Sequence, residues 1–333
     1  VRQNISKPYF LFCFLGVVLG LMLSLSSDSW VGVWAGFEVN LYSVTPLLCG
    51  SMSIQEVEGA VKYFVTQMLA SSCVVFGVLF VLLGATDCLL ILYLGVLFKV
   101  GLVPGHFWLP SVMNMSSNSV CWLLATVQKG APVCVLVSLW SPPLLVFFCS
   151  SMSSILGGVG GLNQTLIRPL LAYSSIGHMG WVFALAKSSE SVALFYFCVY
   201  ILVVSSVFLL LSNMYSSSCF QSNSVYLANA VSSSFLFMMI NLSGLPPFLG
   251  FYPKVLGLMG LVFDQDVFLS ITLILGTTMN IYYYLKVMFA IILFIPINKC
   301  LVEYVWYAPL PVVTFSVSMS AFLFQVFAVL LLE

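Results

Sequence analysis

Apolar residues run along this 333-residue chain in stretches of about twenty, separated by short polar or turn-forming clusters. A helix needs about 20 such residues to cross about 30 Å of hydrocarbon, so each stretch is long enough to span a bilayer. The alternating segments of about ten residues that mark a membrane barrel do not occur. The pattern predicts eleven helices, over 8–26, 30–50, 58–83, 87–109, 120–140, 143–162, 167–186, 191–212, 226–258, 266–295 and 309–332. Most connections are short, and the longest are Asn213 to Val225 and Pro296 to Ala308. The expected fold is an all-α, polytopic membrane protein, with residues 1–333 forming a single membrane domain and no room for a soluble one.

Two of the runs carry helix breakers well inside them: Gly101-Leu102-Val103-Pro104 in the fourth span and Gly244-Leu245-Pro246-Pro247 in the ninth. They lie five spans apart, so the second run crosses in the opposite direction to the first. That is the signature of two inverted five-helix repeats, each with one broken helix. The first repeat is expected over 8–140, the second over 143–295, and a C-terminal transmembrane helix over 309–332.

Composition narrows the class further. The chain is 62% hydrophobic and 6% charged, with ten basic and ten acidic residues. A soluble domain carries about 25% charged residues to face water, and disordered segments are polar and charge-rich; both are excluded. A net charge of zero gives no pull toward nucleic acid. The ten cysteines include no C-x-x-C pair and mostly lie in apolar runs, where Cys behaves as a small hydrophobe, so no metal or iron–sulfur cluster is expected. Val1 in place of Met is read as a non-standard start codon or a lost Met. Arg2 and Lys7 precede an apolar run with no small-residue cleavage site, so that run is expected to be a retained helix rather than a signal peptide. With the N-terminus inside, Arg2, Lys7, Arg168 and Lys299 fall on the inner side and Lys187 alone on the outer, the asymmetry that the positive-inside rule requires.

Most charges sit at span ends, but a few do not. Glu38, Lys99 and Lys129 fall near the middle of the second, fourth and fifth spans; Lys254 follows the break in the ninth; His178 is central in the seventh; His106 lies just beyond the first break. A charge at the bilayer centre costs roughly 2.5–3.5 kcal/mol on insertion scales, so the glutamate and three lysines together cost on the order of 10 kcal/mol. Pairing, internal water or neutralisation must offset that. A lysine whose carboxylate partner moves or becomes protonated can load and release a proton, and histidine titrates near neutrality. The bland alternative is a static Glu38–Lys99 pair, with other lysines reaching an interface; Lys286, near a span end, fits the latter. Gly157-Gly158-Val159-Gly160-Gly161 lacks the strand–helix context of a dinucleotide site and reads as close helix packing.

Several stretches taken together match a known family: Trp34 to Asn40 (WAGFEVN), Lys62 to Gln67 (KYFVTQ), Phe98 to Pro110 (FKVGLVPGHFWLP), Gln128 to Pro132 (QKGAP), Leu171 to Trp181 (LAYSSIGHMGW) and Ser243 to Lys254 (SGLPPFLGFYPK). Over about 30–290 the chain resembles the antiporter-like membrane subunits of respiratory complex I, NADH–ubiquinone oxidoreductase, in their mitochondrial form. The resemblance implies a proton-translocating subunit of that enzyme in the mitochondrial inner membrane, with the N-terminus on the matrix side. It implies that Glu38 pairs with Lys99, that Lys129 is a central relay and that Lys254 lies toward the outer exit; His106 and His178 are further candidates. It implies other membrane-arm subunits and lipids as partners. No cofactor is expected in this chain, since NADH, FMN, iron–sulfur clusters and ubiquinone belong to the complex as a whole. Eleven helices resemble animal versions that lack the first three of the fourteen in bacterial relatives. Gly105 stands where the family usually has a bulkier residue. A stand-alone cation/proton antiporter and a non-conducting scaffold remain as alternatives.

Overall fold

A computed structural model of the chain describes residues 8–50, 52–84, 89–139, 142–213, 229–246 and 248–294. These form thirteen helices and no strand: α1 (Pro8–Ser26), α2 (Trp30–Leu48), α3 (Ile54–Leu82), α4 (Leu89–Val100), α5 (Trp108–Met115), α6 (Asn118–Ala125), α7 (Val127–Ser138), α8 (Pro143–Leu162), α9 (Ile167–Ser188), α10 (Glu190–Asn213), α11 (Asn229–Ser243), α12 (Tyr252–Phe263) and α13 (Val267–Phe294). The protein is an all-α membrane protein. Six stretches among the described residues are long and apolar enough to cross a bilayer unbroken in composition: 9–26, 54–82, 118–138, 143–162, 190–212 and 267–291. The expected helix at 309–332, and Arg2, Lys7 and Lys299 of the charge argument, lie outside the described residues.

The chain divides into two compact units between Ser153 and Ser154. In the first, α1 packs on α2, α2 on α3, and α3 on both α4 and α5; α7 is contacted by α1, α4 and α6. In the second, α9 packs on α10, α12 and α13, and α11 packs on α10 and α13. Between apolar helices in lipid there is little hydrophobic drive, so close approach of backbones carries association. The glycine run of α8 shows this. A Cβ on Gly157 would come within 2.7 Å of the Gly177 backbone nitrogen in α9.

Local chemistry sets the helix ends. Ser29 caps α2 by accepting from the Gly32 N–H, and Ser53 caps α3 by accepting from the Glu56 N–H. Pro46 inside α2 cannot donate to the Tyr42 carbonyl, and the Thr45 hydroxyl donates to it instead, at 3.1 Å.

Each unit contains a helix broken where the glycine–proline breakers predict it. In the first, α4 stops at Val100 because Gly101 turns left-handed, with φ of 82°. The N–H of Gly101 then bonds the Phe98 carbonyl and that of Leu102 the Leu97 carbonyl, closing the helix end in a Schellman turn. The chain resumes as α5 only at Trp108. In the second, α11 stops at Ser243, Gly244 has φ of 72°, and α12 starts at Tyr252.

One expectation is corrected. The fifth span, predicted as a continuous helix over 120–140, is interrupted at Thr126, where φ is −118° and ψ −79°. Pro132, which has no N–H for the Gln128 carbonyl, lies six residues further on, within α7. At the interruption the Lys129 N–H bonds the Thr126 carbonyl three residues back and the Thr126 hydroxyl bonds the Trp122 carbonyl at 2.6 Å.

Candidate functional site

The first unit brings four of the predicted residues into one region. Lys99 is in the last turn of α4, 5% exposed, at the negative end of the helix dipole, where a cation is favoured. Its Nζ lies 5.0 Å from the centroid of the Phe37 ring, a cation–π contact. Glu38, next along α2, acts on Lys99 electrostatically. The two form no ion pair within 4.0 Å, unlike Glu58–Lys62 and Lys187–Asp266. The static, contacting Glu38–Lys99 pair of the bland reading is therefore not formed, and Phe37 occupies the amine's near face. Glu38 itself is half-buried.

Lys129 is 2% exposed, in the first turn of α7. The stretch that carries it has 78% of its membrane window buried in protein, against 17% for α1. A lysine so enclosed cannot extend its amine to a lipid headgroup, so the interface reading fails on geometry. Just before it, the Gln128 amide donates to the Tyr63 hydroxyl of α3, and the other amide atom, Gln128 Oε1, is buried without a hydrogen-bond partner.

The break beside Lys99 is braced rather than open. Trp108 Nε1 donates to the Phe98 carbonyl at 3.1 Å, so the first side chain of α5 ties off a carbonyl at the end of α4. His106 is buried, its ring bonded to the Pro104 backbone and tilted 35° against the Phe107 ring at 4.0 Å, with Nδ1 unpartnered. Gly105 has its reason here too: a Cβ would collide with the edge of the Phe98 ring.

The second unit holds Lys254 and His178. Lys254, in the first turn of α12, is 7% exposed and donates from Nζ to the Ser243 carbonyl at 2.7 Å, across the break. That carbonyl lies at the end of α11, where no further helical turn follows to bond it. The ammonium thus sits on a helix-end carbonyl at the negative end of α11. Gly244 makes room for it, since a Cβ there would come within 2.5 Å of Nζ. His178, on α9, is buried, and its Nδ1 lies 2.9 Å from the Tyr196 hydroxyl of α10. A small cavity of about 10 Å³, lined by His178, Tyr196, Tyr200, Asn241, Gly250 and Pro253 among others, separates the histidine from the residue before Lys254. Asn241 Oδ1, on one of its lining residues, is buried without a hydrogen-bond partner. Lys286 is exposed on α13, as its place near a span end suggests.

Tyr63, Gln128 and Tyr196 were not singled out by charge, being neutral. The signal for the first two was present in the KYFVTQ and QKGAP stretches, where each adjoins a charged residue.

Two broken helices, each holding a buried lysine at a helix end, define an antiporter-type membrane subunit. Residues 82–280 match the family described as NADH:quinone oxidoreductase/Mrp antiporter, transmembrane. The chain belongs, more narrowly, to the NADH-ubiquinone oxidoreductase chain 2 family. It is 34% identical to that protein of Lumbricus terrestris, over 96% of this chain and 99% of the relative. It is 33% identical to that of Locusta migratoria, over 83% of each. Among solved structures it is similar to a chain of respiratory complex I from Thermus thermophilus, with a TM-score of 0.81 and 25% identity over 95% of this chain and 77% of that one. A chain of the Mrp complex from Dietzia sp. shares the fold, with a TM-score of 0.75 and 15% identity over 83% of this chain and 59% of that one.

Proposed function

We propose that the chain is a proton-translocating subunit of the membrane arm of complex I in the mitochondrial inner membrane, and that Glu38, Lys99, Lys129 and Lys254 carry the translocation, with His106 and His178 as auxiliary proton carriers. The observation that carries the reading is the placement of three lysines at helix ends or interruptions deep in a bilayer-spanning chain, each buried to 93% or more. A buried amine at a helix break has both a reason to be charged, the helix-end carbonyls, and a cost for remaining so, the low dielectric. A nearby but non-contacting carboxylate can tip that balance. Redox energy released elsewhere in the complex would alter the Glu38–Lys99 interaction, and the change would pass to Lys129 and then Lys254. On this reading the chain holds no redox centre, its N-terminus faces the matrix, its halves are inverted repeats, and its partners are other membrane-arm subunits and lipid.

Native electrophoresis of gently solubilised membranes, probed for this chain and for NADH oxidation, tests the assignment. The chain is expected to co-migrate with a megadalton NADH-oxidising assembly. Migration as a free subunit that exchanges sodium for protons would establish the stand-alone antiporter instead.

A further inference from the structure

One buried group that the relay leaves unused joins three of its parts. Tyr63 is fully buried on α3, a helix that contributes none of the four relay residues. Its hydroxyl accepts from the Gln128 amide, the residue before Lys129. Its ring meets the Trp108 ring edge-on at 5.8 Å, and Trp108 Nε1 holds the Phe98 carbonyl, the residue before Lys99. The Glu38 carboxylate acts on the hydroxyl electrostatically.

We infer that Tyr63 is a positioning residue of the relay, coupling the seat of Lys129, through its hydrogen bond with Gln128, to the turn that carries Lys99, through Trp108. This rests on the proton-relay reading above. The hydrogen bond from the Gln128 amide to the Tyr63 oxygen holds the start of α7. Gln128 is free to respond because its carbonyl faces Pro132 and its Oε1 has no hydrogen-bond partner. Gln67, one turn along the same face of α3, also has its buried amide nitrogen unpartnered, so the neighbourhood is polar enough to accept an alternative arrangement. Trp108 gives the same hydroxyl-bearing ring a mechanical link to the turn that carries Lys99.

The test is a double-mutant cycle in the assembled complex, reconstituted into sealed vesicles: Tyr63→Phe, Gln128→Leu and the two together, with Lys129→Met in parallel. Assembly is read on native gels, and protons translocated per NADH oxidised are read in the vesicles. The expected result is normal assembly with a loss of proton yield in each single variant, and a loss in the double variant no larger than in either single one. Full yield in Tyr63→Phe beside a reduced yield in Lys129→Met would overturn the coupling role and leave the relay standing. Losses that add in the double variant would overturn it too. Full yield in Lys129→Met would overturn the relay and this inference with it. Should Tyr63→Phe fail to assemble, Gln128→Leu decides alone: reduced yield supports the coupling, full yield overturns it.

Discussion

Lys254 shows how a single amine is made tolerable in oil. Its Nζ takes the Ser243 carbonyl at the end of α11, and Gly244 supplies the space. Gly244→Ala therefore faces two penalties. A left-handed backbone costs an L-residue roughly 1–2 kcal/mol, and the new methyl group would displace the amine. Gly84→Ala is the matched control, since Gly84 has φ of 81° with nothing within 4 Å of a Cβ. The temperature of thermal inactivation of the assembled complex is expected to fall further for Gly244→Ala than for Gly84→Ala; equal falls would mean that the amine does not depend on that space. A parallel case is Gly105→Val, which would drive Phe98 out of its place over the break and is expected to lower assembly, measured on native gels. The charged residues of both regions were legible in the sequence, because an ionisable group in a twenty-residue apolar run stands out. Their neutral partners were less so. Tyr63 and Gln128 were marked only by adjoining charged residues in the matched stretches, Tyr196 looks like an ordinary member of an apolar helix, and only the fold shows which hydroxyl meets which neighbour.

The broken helices were readable for the same reason that they exist. Gly-Leu-x-Pro and Gly-Leu-Pro-Pro cannot continue an α-helix, and the structure stops α4 and α11 at those glycines. The interruption at Thr126 was not foreseen, although Pro132 was in plain view. A proline within a membrane helix disturbs the turn before it, and where the disturbance settles depends on which neighbours can satisfy the freed groups. Here the Thr126 hydroxyl and the Tyr63–Gln128 bond settle it one turn from Lys129. Pro132→Ala would return an N–H to the Gln128 carbonyl. The expected outcome, checked by cryo-electron microscopy of the assembled complex, is a continuous helix through Thr126 and a lengthened or lost Tyr63–Gln128 bond. A persistent interruption would show that the side-chain contacts, and not the proline, impose it.

For the molecule as a whole, burial is distributed unevenly. Phe12, Leu15, Leu19 and Met22 of α1 are each at least half exposed, while the stretch bearing Lys129 is enclosed. Apolar periphery with ionisable centres is the arrangement of a protein that faces lipid or neighbouring subunits and does its work inside. A scaffold would gain nothing from the inner lysines, whose burial opposes stability. It predicts that neutralising them harms assembly first; a relay predicts the reverse. The deciding experiment is Lys129→Met in the complete complex, reconstituted into sealed vesicles and followed for both NADH oxidation and proton translocation. The relay predicts an assembled complex whose protons per electron fall below the unaltered value. Normal turnover with a normal proton yield would contradict it.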